Sequence, residues 1–218
     1  MKVEHRVIKN VVFDIGNVLV QWNPQTVISL VFPKVINPTG LSNAIFKSKI
    51  WYDLNLGKLS EKAAIALYAS KLGIAVPRLE KLMFTIKESL IPVTGSFELL
   101  DKLSKAGIPL YAITDNVSEI VTYLKKKYDF WQKFIDVVVS AEVSVLKPSP
   151  EIYQHLLKKY RLIPGECVFF DDLLSNVNGA KAVGMHAVKF TTALQCEKDL
   201  WWYGLLKDYQ FLGGGRVK

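Results

Sequence analysis

Short apolar segments alternate with amphipathic segments along most of the chain. The first apolar run, at residues 11–13, stops at Asp14, and similar runs follow at residues 108–113, 136–139, 167–170 and 186–190. Uninterrupted apolar runs of this length are typical of strands buried on both faces of a parallel sheet. Helical patterns lie between them, at residues 97–106, 118–127, 150–160 and 177–183. This alternation predicts an α/β fold with a doubly wound parallel sheet.

Residues 21–92 carry no second strong strand signal. They contain three helical patterns instead, at residues 41–50, 60–72 and 77–90. Ser60 is a suitable N-cap for the second helix, and Gly73 is a suitable end. A helical stretch of about seventy residues is too long for a simple crossover between parallel strands. We therefore expect a core domain at residues 1–20 and 93–218, with a helical cap domain inserted at residues 21–92.

Two of the cap helices have apolar positions at helical spacing, which we expect to be buried. The second helix carries Ala64, Leu67 and Leu72. The third helix carries Leu79, Leu82, Met83 and Ile86.

Length and composition bound the class of protein. A chain of 218 residues that is 50% hydrophobic can build a sizeable core. No segment approaches about 18 consecutive apolar residues, and no signal-peptide hydrophobic region follows the first charged residues, so we expect no membrane association. Cys167 and Cys196 lie far apart and form no metal motif or disulfide framework. We expect a soluble, cytoplasmic protein, whose oligomeric state the sequence leaves open.

The net charge of +8 raises the question of nucleic-acid binding. The lysines are scattered, however, and the densest group, Lys125, Lys126 and Lys127, falls at a predicted helix end. Cations are favoured there by the helix dipole. We therefore expect no nucleic-acid partner, while a basic surface would help to attract a small phosphorylated metabolite.

Polar groups follow several of the predicted strands directly. Asp14 follows the first strand, Thr114 follows the second, and Asp171 and Asp172 follow the fourth, while Lys147 precedes a helix. Ligands of open α/β sheets bind where the carboxyl ends of the strands meet. A phosphate site needs carboxylates for Mg²⁺, a hydroxyl and an ammonium for the phosphate oxygens, and a nucleophile. The strand ends supply this set.

Four motifs occur in order along the chain. They read F-D-x-G-N, I-T-D-N, L-K-P-S-P-E-I-Y, and F-F-D-D-x-x-x-N followed by G-A-K-A-V-G-M. With these motifs the chain resembles the haloacid dehalogenase-like (HAD) superfamily over residues 7–192, which implies a Rossmann-like core. The predicted cap resembles that of the subgroup whose cap follows the first motif. Within it, the chain is similar to bacterial phosphatases that act on glucose 1-phosphate, and more distantly to the phosphatase domain of soluble epoxide hydrolase.

The resemblance implies a role for each motif residue. Asp14 would be the nucleophile that forms an aspartyl-phosphate. Mg²⁺ would be held by Asp14, the backbone carbonyl of Gly16 and Asp172, with Asp171 behind them. The substrate phosphate would contact Asn17, Thr114, the backbone N–H of Asp115, and Lys147. Asn176 stands where many relatives have another acid.

Gly16 departs from the pattern of the family. Most phosphatases of the family have an acid at this position, which protonates the leaving group and later activates water. The glucose 1-phosphate phosphatases that the chain resembles also read F-D-x-G-N, so the departure is shared with them and does not by itself imply inactivity. Removing a positioned acid or base typically costs about 10² to 10⁴ in rate. A left-handed backbone at Gly16 would make a larger side chain costly there.

Three functions are therefore open. The first is a Mg²⁺-dependent phosphatase of small phosphomonoesters, including sugar phosphates. The second is a catalytically weak phosphate-binding or regulatory relative that lacks the acid at Gly16. The third is metal-independent dehalogenation, which the acidic pair Asp171 and Asp172 and the Lys147–Pro148 motif disfavour.

The cap would close over the leaving group of the substrate. Its residues of interest are Trp51, Tyr52, Asp53 and Lys58. Ordinary packing within the cap is the favoured interpretation of Trp51 and Tyr52.

Overall fold

Five parallel strands form one sheet within residues 7–206, the part of the chain that the computed structural model describes. Residues 1–6 and 207–218, the two ends of the predicted core domain, lie outside the described residues. The strands are β1 (Asn10–Phe13), β2 (Leu110–Thr114), β3 (Asp136–Val139), β4 (Cys167–Asp171) and β5 (His186–Lys189). Their spatial order is β3-β2-β1-β4-β5. The predicted parallel α/β sheet is confirmed.

The first strand occupies the centre of the sheet. Phe13 pairs with Ala112 of β2 on one side and with Phe170 of β4 on the other. The chain builds β2 and β3 on one side of β1 and then returns to build β4 and β5 on the opposite side. The carboxyl ends of β1 and β4 therefore flank a topological switch point, where open α/β sheets bind their ligands.

Five helices lie between β1 and β2. They are α1 (Pro24–Val31), α2 (Pro38–Phe46), α3 (Lys49–Asn55), α4 (Glu61–Leu72) and α5 (Val76–Ser89). The sequence pattern missed α1, which begins with Pro24 after an Asn23 cap. The predicted helix at 41–50 is wrong as a single element, because Ser48 accepts a hydrogen bond from the Trp51 N–H at 3.2 Å and starts a new helix.

The apolar faces of α4 and α5 were predicted with unequal success. Ser60 caps α4, and Gly73 ends it at a φ of 65°, as expected. Leu67 is 44% exposed, however, and Tyr68 is buried in its place, with its hydroxyl donating to the Ile45 carbonyl at 2.9 Å. Tyr68 lies one turn after Ala64, so helical spacing alone did not separate the two candidates. On α5, all four predicted positions are buried: Leu79, Leu82, Met83 and Ile86.

The remaining helices cover the two faces of the sheet. They are α6 (Ser96–Lys105), α7 (Ser118–Lys127), α8 (Ser140–Val143), α9 (Pro150–Lys159), α10 (Leu174–Ala182) and α11 (Ala193–Trp202). The short α8 and the 3-10 turns at 129–133 and 164–166 were not predicted, since segments of this length leave little periodic signal. Three lysines occupy the last turn of α7, as expected.

Side chains alternate between the two faces of β1, as in any strand. Val11 and Phe13 belong to one hydrophobic cluster and Val12 to another. The first cluster continues without a break into the helices between β1 and β2, where it includes Tyr68 and Leu79. The division into domains at 21 and 92 therefore stays a prediction.

The chain enters and leaves the inserted helices at a single place. Gln21 donates its N–H to the Ile91 carbonyl, and Val93 donates to the Leu19 carbonyl, both at 2.8 Å. A second contact joins α3 to the core, where the Ser140 hydroxyl donates to the Asn55 carbonyl at 2.6 Å. The insertion is thus tied to the core where the chain enters and leaves it, and again at α3.

Within the described residues, none of the helices is both long and apolar enough to cross a membrane.

Candidate active site

The β1 strand places Asp14 at the centre of the carboxyl edge of the sheet. Its N–H donates to the Phe170 carbonyl at 2.9 Å, which continues the β1–β4 ladder by one residue. Its side chain turns back, so that Oδ1 accepts the Ile15 N–H at 2.7 Å. Asp14 is 7% exposed, so its carboxylate faces a restricted space rather than bulk water.

The ammonium of Lys147 is buried between carboxylates. Nζ lies 2.8 Å from Asp14 Oδ1 and 2.7 Å from Asp171 Oδ2, and it donates to the Ile113 carbonyl at 3.1 Å. These three acceptors match the three donors of an ammonium. Lys147 therefore carries a positive charge to the floor of the site and orients Asp14.

Three carboxylates converge at this place. Asp14, Asp171 and Asp172 can each offer an oxygen such that all three oxygens lie within 4.8 Å of one another. One ammonium does not balance three carboxylates, and carboxylate oxygen is the ligand that Mg²⁺ prefers. The donor set thus fits a divalent cation of this kind.

Asp171 and Asp172 are held in different ways. Asp171 is fully buried, and its two oxygens accept from Lys147 Nζ, from Asn176 Nδ2 at 3.0 Å, and from the Leu173 N–H at 2.8 Å. Asp172 is half-buried, and among the described residues its side chain accepts only from Asn17 Nδ2, at 3.1 Å. Asp172 therefore has the more available oxygens.

Burial and mutual charge shift the pKa values of these groups. Burial raises the pKa of Asp14 to about 8, with a further rise from Asp171, while the Lys147 ammonium opposes both. Burial also raises the pKa of Asp172 and of Asp115. Burial works to lower the pKa of Lys147, but the surrounding carboxylates outweigh it and raise that pKa, so the lysine stays charged. A bound divalent cation would favour the ionised form of each carboxylate.

The loop after Asp14 leaves room at Gly16. Its backbone is not among the left-handed glycines, and the residue with positive φ is Asn17, at 55°. The left-handed backbone considered for Gly16 is therefore not the observed one. A Cβ at Gly16 would meet its nearest neighbour, Trp22 Cβ, at 4.0 Å, which is ordinary contact. A Cβ is therefore accommodated there without strain from a left-handed backbone.

Asn17 links the acidic cluster to the next segment of the chain. Its Nδ2 donates to Asp172, and its Oδ1 accepts the Trp22 N–H at 2.8 Å. The side chain of Asn17 also lines the cleft described below. Its predicted contact with the substrate stays a prediction.

The segment after β2 brings two predicted residues to the same edge. Thr114 is the last residue of β2 and is 1% exposed, whereas Asp115 lines the cleft. Asp115 Oδ1 accepts the Lys147 N–H at 3.0 Å, which ties the two loops together. The predicted phosphate contacts of Thr114 and of the Asp115 N–H remain predictions.

A cleft of about 590 Å³ opens above these residues. Its floor is formed by Asp14, Gly16, Asn17, Asp115, Lys147, Asp172 and Asn176. Its other walls include Trp22, Phe46, Lys47, Ser48, Trp51, Tyr52, Asn55 and Asn116. Sequence reasoning selected Trp51 and Tyr52 but missed Trp22 and Phe46, because isolated aromatic residues carry no local signal of a cleft.

Two of the residues noted in the inserted segment do not line this cleft. Asp53 pairs through Oδ2 with Lys49 at 2.5 Å, and Lys58 is exposed. Asp53 therefore does not stand in the cleft as a replacement for the acid missing at Gly16.

Comparisons with known proteins agree with this geometry. Residues 8–184 match the family model of haloacid dehalogenase-like hydrolases. A sesquiterpene phosphatase of Aspergillus oryzae is 29% identical over 188 residues, which are 85% of this chain and 91% of that protein. A drimenol cyclase of Aspergillus calidoustus is 24% identical over 88% of this chain, which spans only 36% of that longer protein.

A solved structure shares the fold. It is a HAD family enzyme of Bacteroides thetaiotaomicron in complex with magnesium and inorganic phosphate, with a TM-score of 0.73 and 19% identity. The match covers 85% of this chain and 95% of that one. Since the family model spans most of the chain and the strand-end carboxylates stand where the motifs predict them, this protein belongs to the haloacid dehalogenase-like hydrolase family.

Proposed function

We propose that this protein is a Mg²⁺-dependent phosphatase that hydrolyses small phosphomonoesters through an aspartyl-phosphate on Asp14. The observation that carries the proposal is the buried arrangement of Asp14, Lys147 and the acidic pair Asp171 and Asp172 at the switch point of the sheet. A small phosphorylated metabolite as substrate and a cytoplasmic location belong to the same proposal. The match to a relative named as a phosphatase over 91% of its length supports the reaction class.

The residues at the floor of the cleft would have separate roles in hydrolysis. Oδ1 of Asp14 is engaged by Lys147 and Ile15, which leaves Oδ2 to attack the phosphorus atom. The bond between phosphorus and the ester oxygen breaks, and the leaving alkoxide takes a proton from a water molecule, since Gly16 supplies no acid. Water then attacks the acyl phosphate at phosphorus, which releases inorganic phosphate and restores the carboxylate.

Charge on the phosphate is the main obstacle to this attack. Lys147 places a fixed positive charge beside the nucleophile, and Thr114 and the Asp115 N–H would donate to phosphate oxygens. Mg²⁺, held by Asp14, Asp172 and the Gly16 carbonyl, would neutralise further negative charge when bound. Asp171 would position Lys147 rather than bind the ion, since its oxygens already accept four hydrogen bonds.

One observation favours the alternative of a phosphate-binding relative with weak turnover. Gly16 has no side chain, and the cleft contains no other carboxylic acid besides Asp14, Asp115 and Asp172 within the described residues. In that case the protein would bind phosphate esters with Mg²⁺ and release products slowly.

The deciding experiment is hydrolysis of an aryl phosphate with Mg²⁺ and again with EDTA, using the native protein and the Asp14→Asn variant. A phosphatase should lose turnover with EDTA and fall by at least about 10³-fold in the variant, because an amide is a poor nucleophile. Binding without turnover would select the regulatory alternative. Chloride release from a 2-haloacid that persists in EDTA would select dehalogenation instead.

A further inference from the structure

Three aromatic side chains form a continuous wall of the cleft. The rings of Trp22 and Trp51 are parallel, with centroids 5.8 Å apart, and Phe46 meets both edge-on at 5.2 and 5.0 Å. All three residues are half-buried, and all three line the cleft. They pack against the hydrophobic core on one side and present apolar surface to an open space on the other. Exposed apolar surface gathered in a concave site is typical of ligand binding.

Further apolar side chains extend this wall. Six further residues extend the wall: Val20, Pro24, Leu90, Ile120, Leu146 and Leu173. Leu173 is 54% exposed although it stands next to Asp172. The volume of the cleft falls in the range of about 300–1,000 Å³ that holds drug-sized ligands, so a phosphate alone would leave most of it unfilled.

Three of the polar side chains of the upper cleft are already engaged, whereas Lys47 and Tyr52 also line it and are exposed. Ser48 donates to the Ile45 carbonyl at 2.7 Å and accepts the Trp51 N–H. Asn55 Nδ2 donates to the Trp51 carbonyl at 2.8 Å, and Asn116 Oδ1 accepts the Val117 N–H at 2.9 Å. Ser48, Asn55 and Asn116 therefore offer few groups to replace water around a polyhydroxylated ligand, whose buried hydroxyls would lose free energy without partners.

The aromatic wall begins directly beside the acidic cluster. The Trp22 N–H is held by Asn17, and Asn17 in turn donates to Asp172. A phosphate at Asp14 would therefore have its ester oxygen within the same cleft as the rings. The leaving group, rather than some second molecule, is the natural occupant of the apolar space.

We infer that the cleft selects phosphomonoesters of apolar alcohols over those of polyhydroxylated alcohols, with Trp22, Phe46 and Trp51 as the residues that determine this specificity. The inference rests on the proposed phosphatase function. The inferred substrate is a phosphomonoester whose alcohol carries a sizeable hydrocarbon group.

The test is a series of ethyl, butyl, hexyl and octyl phosphate, kept below their micellar concentrations. Leaving-group acidity is nearly constant along this series, so kcat/KM reports the burial of hydrocarbon. Each buried methylene should raise kcat/KM about fourfold, so burial of all six additional methylenes gives an octyl-to-ethyl ratio of about 4 × 10³. A flat series, or faster turnover of glucose 6-phosphate than of octyl phosphate, would overturn the inference.

Variants of the cleft test which residues cause the preference for longer alkyl chains. Trp51→Ala should lower the octyl-to-ethyl ratio at least about fivefold, because it removes apolar surface from the cleft. Leu173→Gln should lower it too, and as an exposed position it carries little risk to folding. Phe84→Ala is the matched control, since Phe84 is a 62% exposed aromatic residue on α5 that does not line the cleft. An equal change in all three variants would contradict the assignment of the wall.

Calorimetric titration with alkylphosphonates separates this inference from the proposed reaction. If no ester is hydrolysed, the proposed phosphatase function fails, yet affinity for octylphosphonate should still exceed that for ethylphosphonate in the presence of Mg²⁺. Equal affinities for both phosphonates would overturn the inference whatever the turnover.

Discussion

Asp171, the last residue of β4, and Asp172, the next residue, have different surroundings although they are adjacent in sequence. Asp171 is enclosed by Lys147, Asn176 and a backbone N–H, while Asp172 contacts Asn17 and faces the cleft. A fully enclosed carboxylate acts mainly on structure, and a half-open one can bind an ion. This contrast separates the expected effects of their variants.

Asp172→Ala should weaken Mg²⁺ binding strongly while it leaves the fold intact, because it removes a half-buried carboxylate of the proposed metal site. Asp171→Ala should instead lower the free energy of unfolding by about 3–5 kcal/mol, since it leaves the buried ammonium of Lys147 with one partner fewer. Mg²⁺ titration and urea unfolding of both variants check the pair. Stronger loss of Mg²⁺ affinity in Asp171→Ala than in Asp172→Ala would reverse the two roles.

The absence of a side chain at Gly16 should determine how acidic the leaving alcohol must be. Without an acid at this position, turnover should depend steeply on the acidity of the leaving alcohol. Gly16→Asp should raise kcat most for poor leaving groups, by up to about 10²-fold, and flatten the dependence. The structure favours this experiment, because a Cβ at Gly16 makes only ordinary contact and the residue is not among the glycines with positive φ.

The measurement is rate against leaving-group pKa for a set of aryl and alkyl phosphates. Gly16→Asn is the matched control, as it has the shape of Asp without a proton to give. Equal slopes in the native protein and in Gly16→Asp would mean that another group already donates the proton.

At the scale of elements, one of the junctions between the inserted helices and the core lies between α3 and α8. Gly57 follows α3 with a φ of +68°, and a Cβ there would overlap the carbonyl oxygen of Ala141 in α8. Ser140 adds hydrogen bonds to the Asn55 carbonyl at 2.6 Å and from the Asn116 N–H at 3.0 Å. The wall of the cleft is therefore held in position by this junction.

Gly57→Ala should destabilise the protein by clearly more than the about 1–2 kcal/mol that a left-handed backbone alone costs a residue with a side chain. Gly73→Ala is the control, since Gly73 also has a positive φ but nothing within 4 Å of the added Cβ. Urea unfolding of the two variants gives the difference directly. Equal losses of stability would show that the protein accommodates a Cβ at Gly57 against Ala141 without a further loss of free energy of unfolding.

At the scale of the whole molecule, ion binding should be visible as stability. A ligand that binds only the folded state at 100 times its Kd contributes about 2.7 kcal/mol. For a chain of this size, saturating Mg²⁺ should therefore raise Tm by about 5–10 °C. Thermal unfolding with Mg²⁺ and with EDTA checks this, and the shift should shrink in Asp172→Ala. An unchanged Tm at millimolar Mg²⁺ would argue against the metal site.

Much of the architecture could be read from local patterns. Parallel strands buried on both faces must be apolar throughout, so the runs that end at Asp14, Thr114 and Asp171 were recognisable. The α5 stripe and the caps of α4 were recognisable for the same reason, because they depend on residues within a few positions of one another. Short or irregular elements such as α8 were missed, since their stability comes from contacts outside themselves.

The chemistry of the site follows a similar division between local and long-range information. The chain order of its motifs indicated which residue types converge, because the carboxyl ends of parallel strands share an edge. Folding alone brought Lys147 between Asp14 and Asp171, enclosed Asp171 but not Asp172, and stacked Trp22 on Trp51. These relations join side chains that are far apart in sequence, and no local periodicity records which of many possible long-range contacts the packed chain will make.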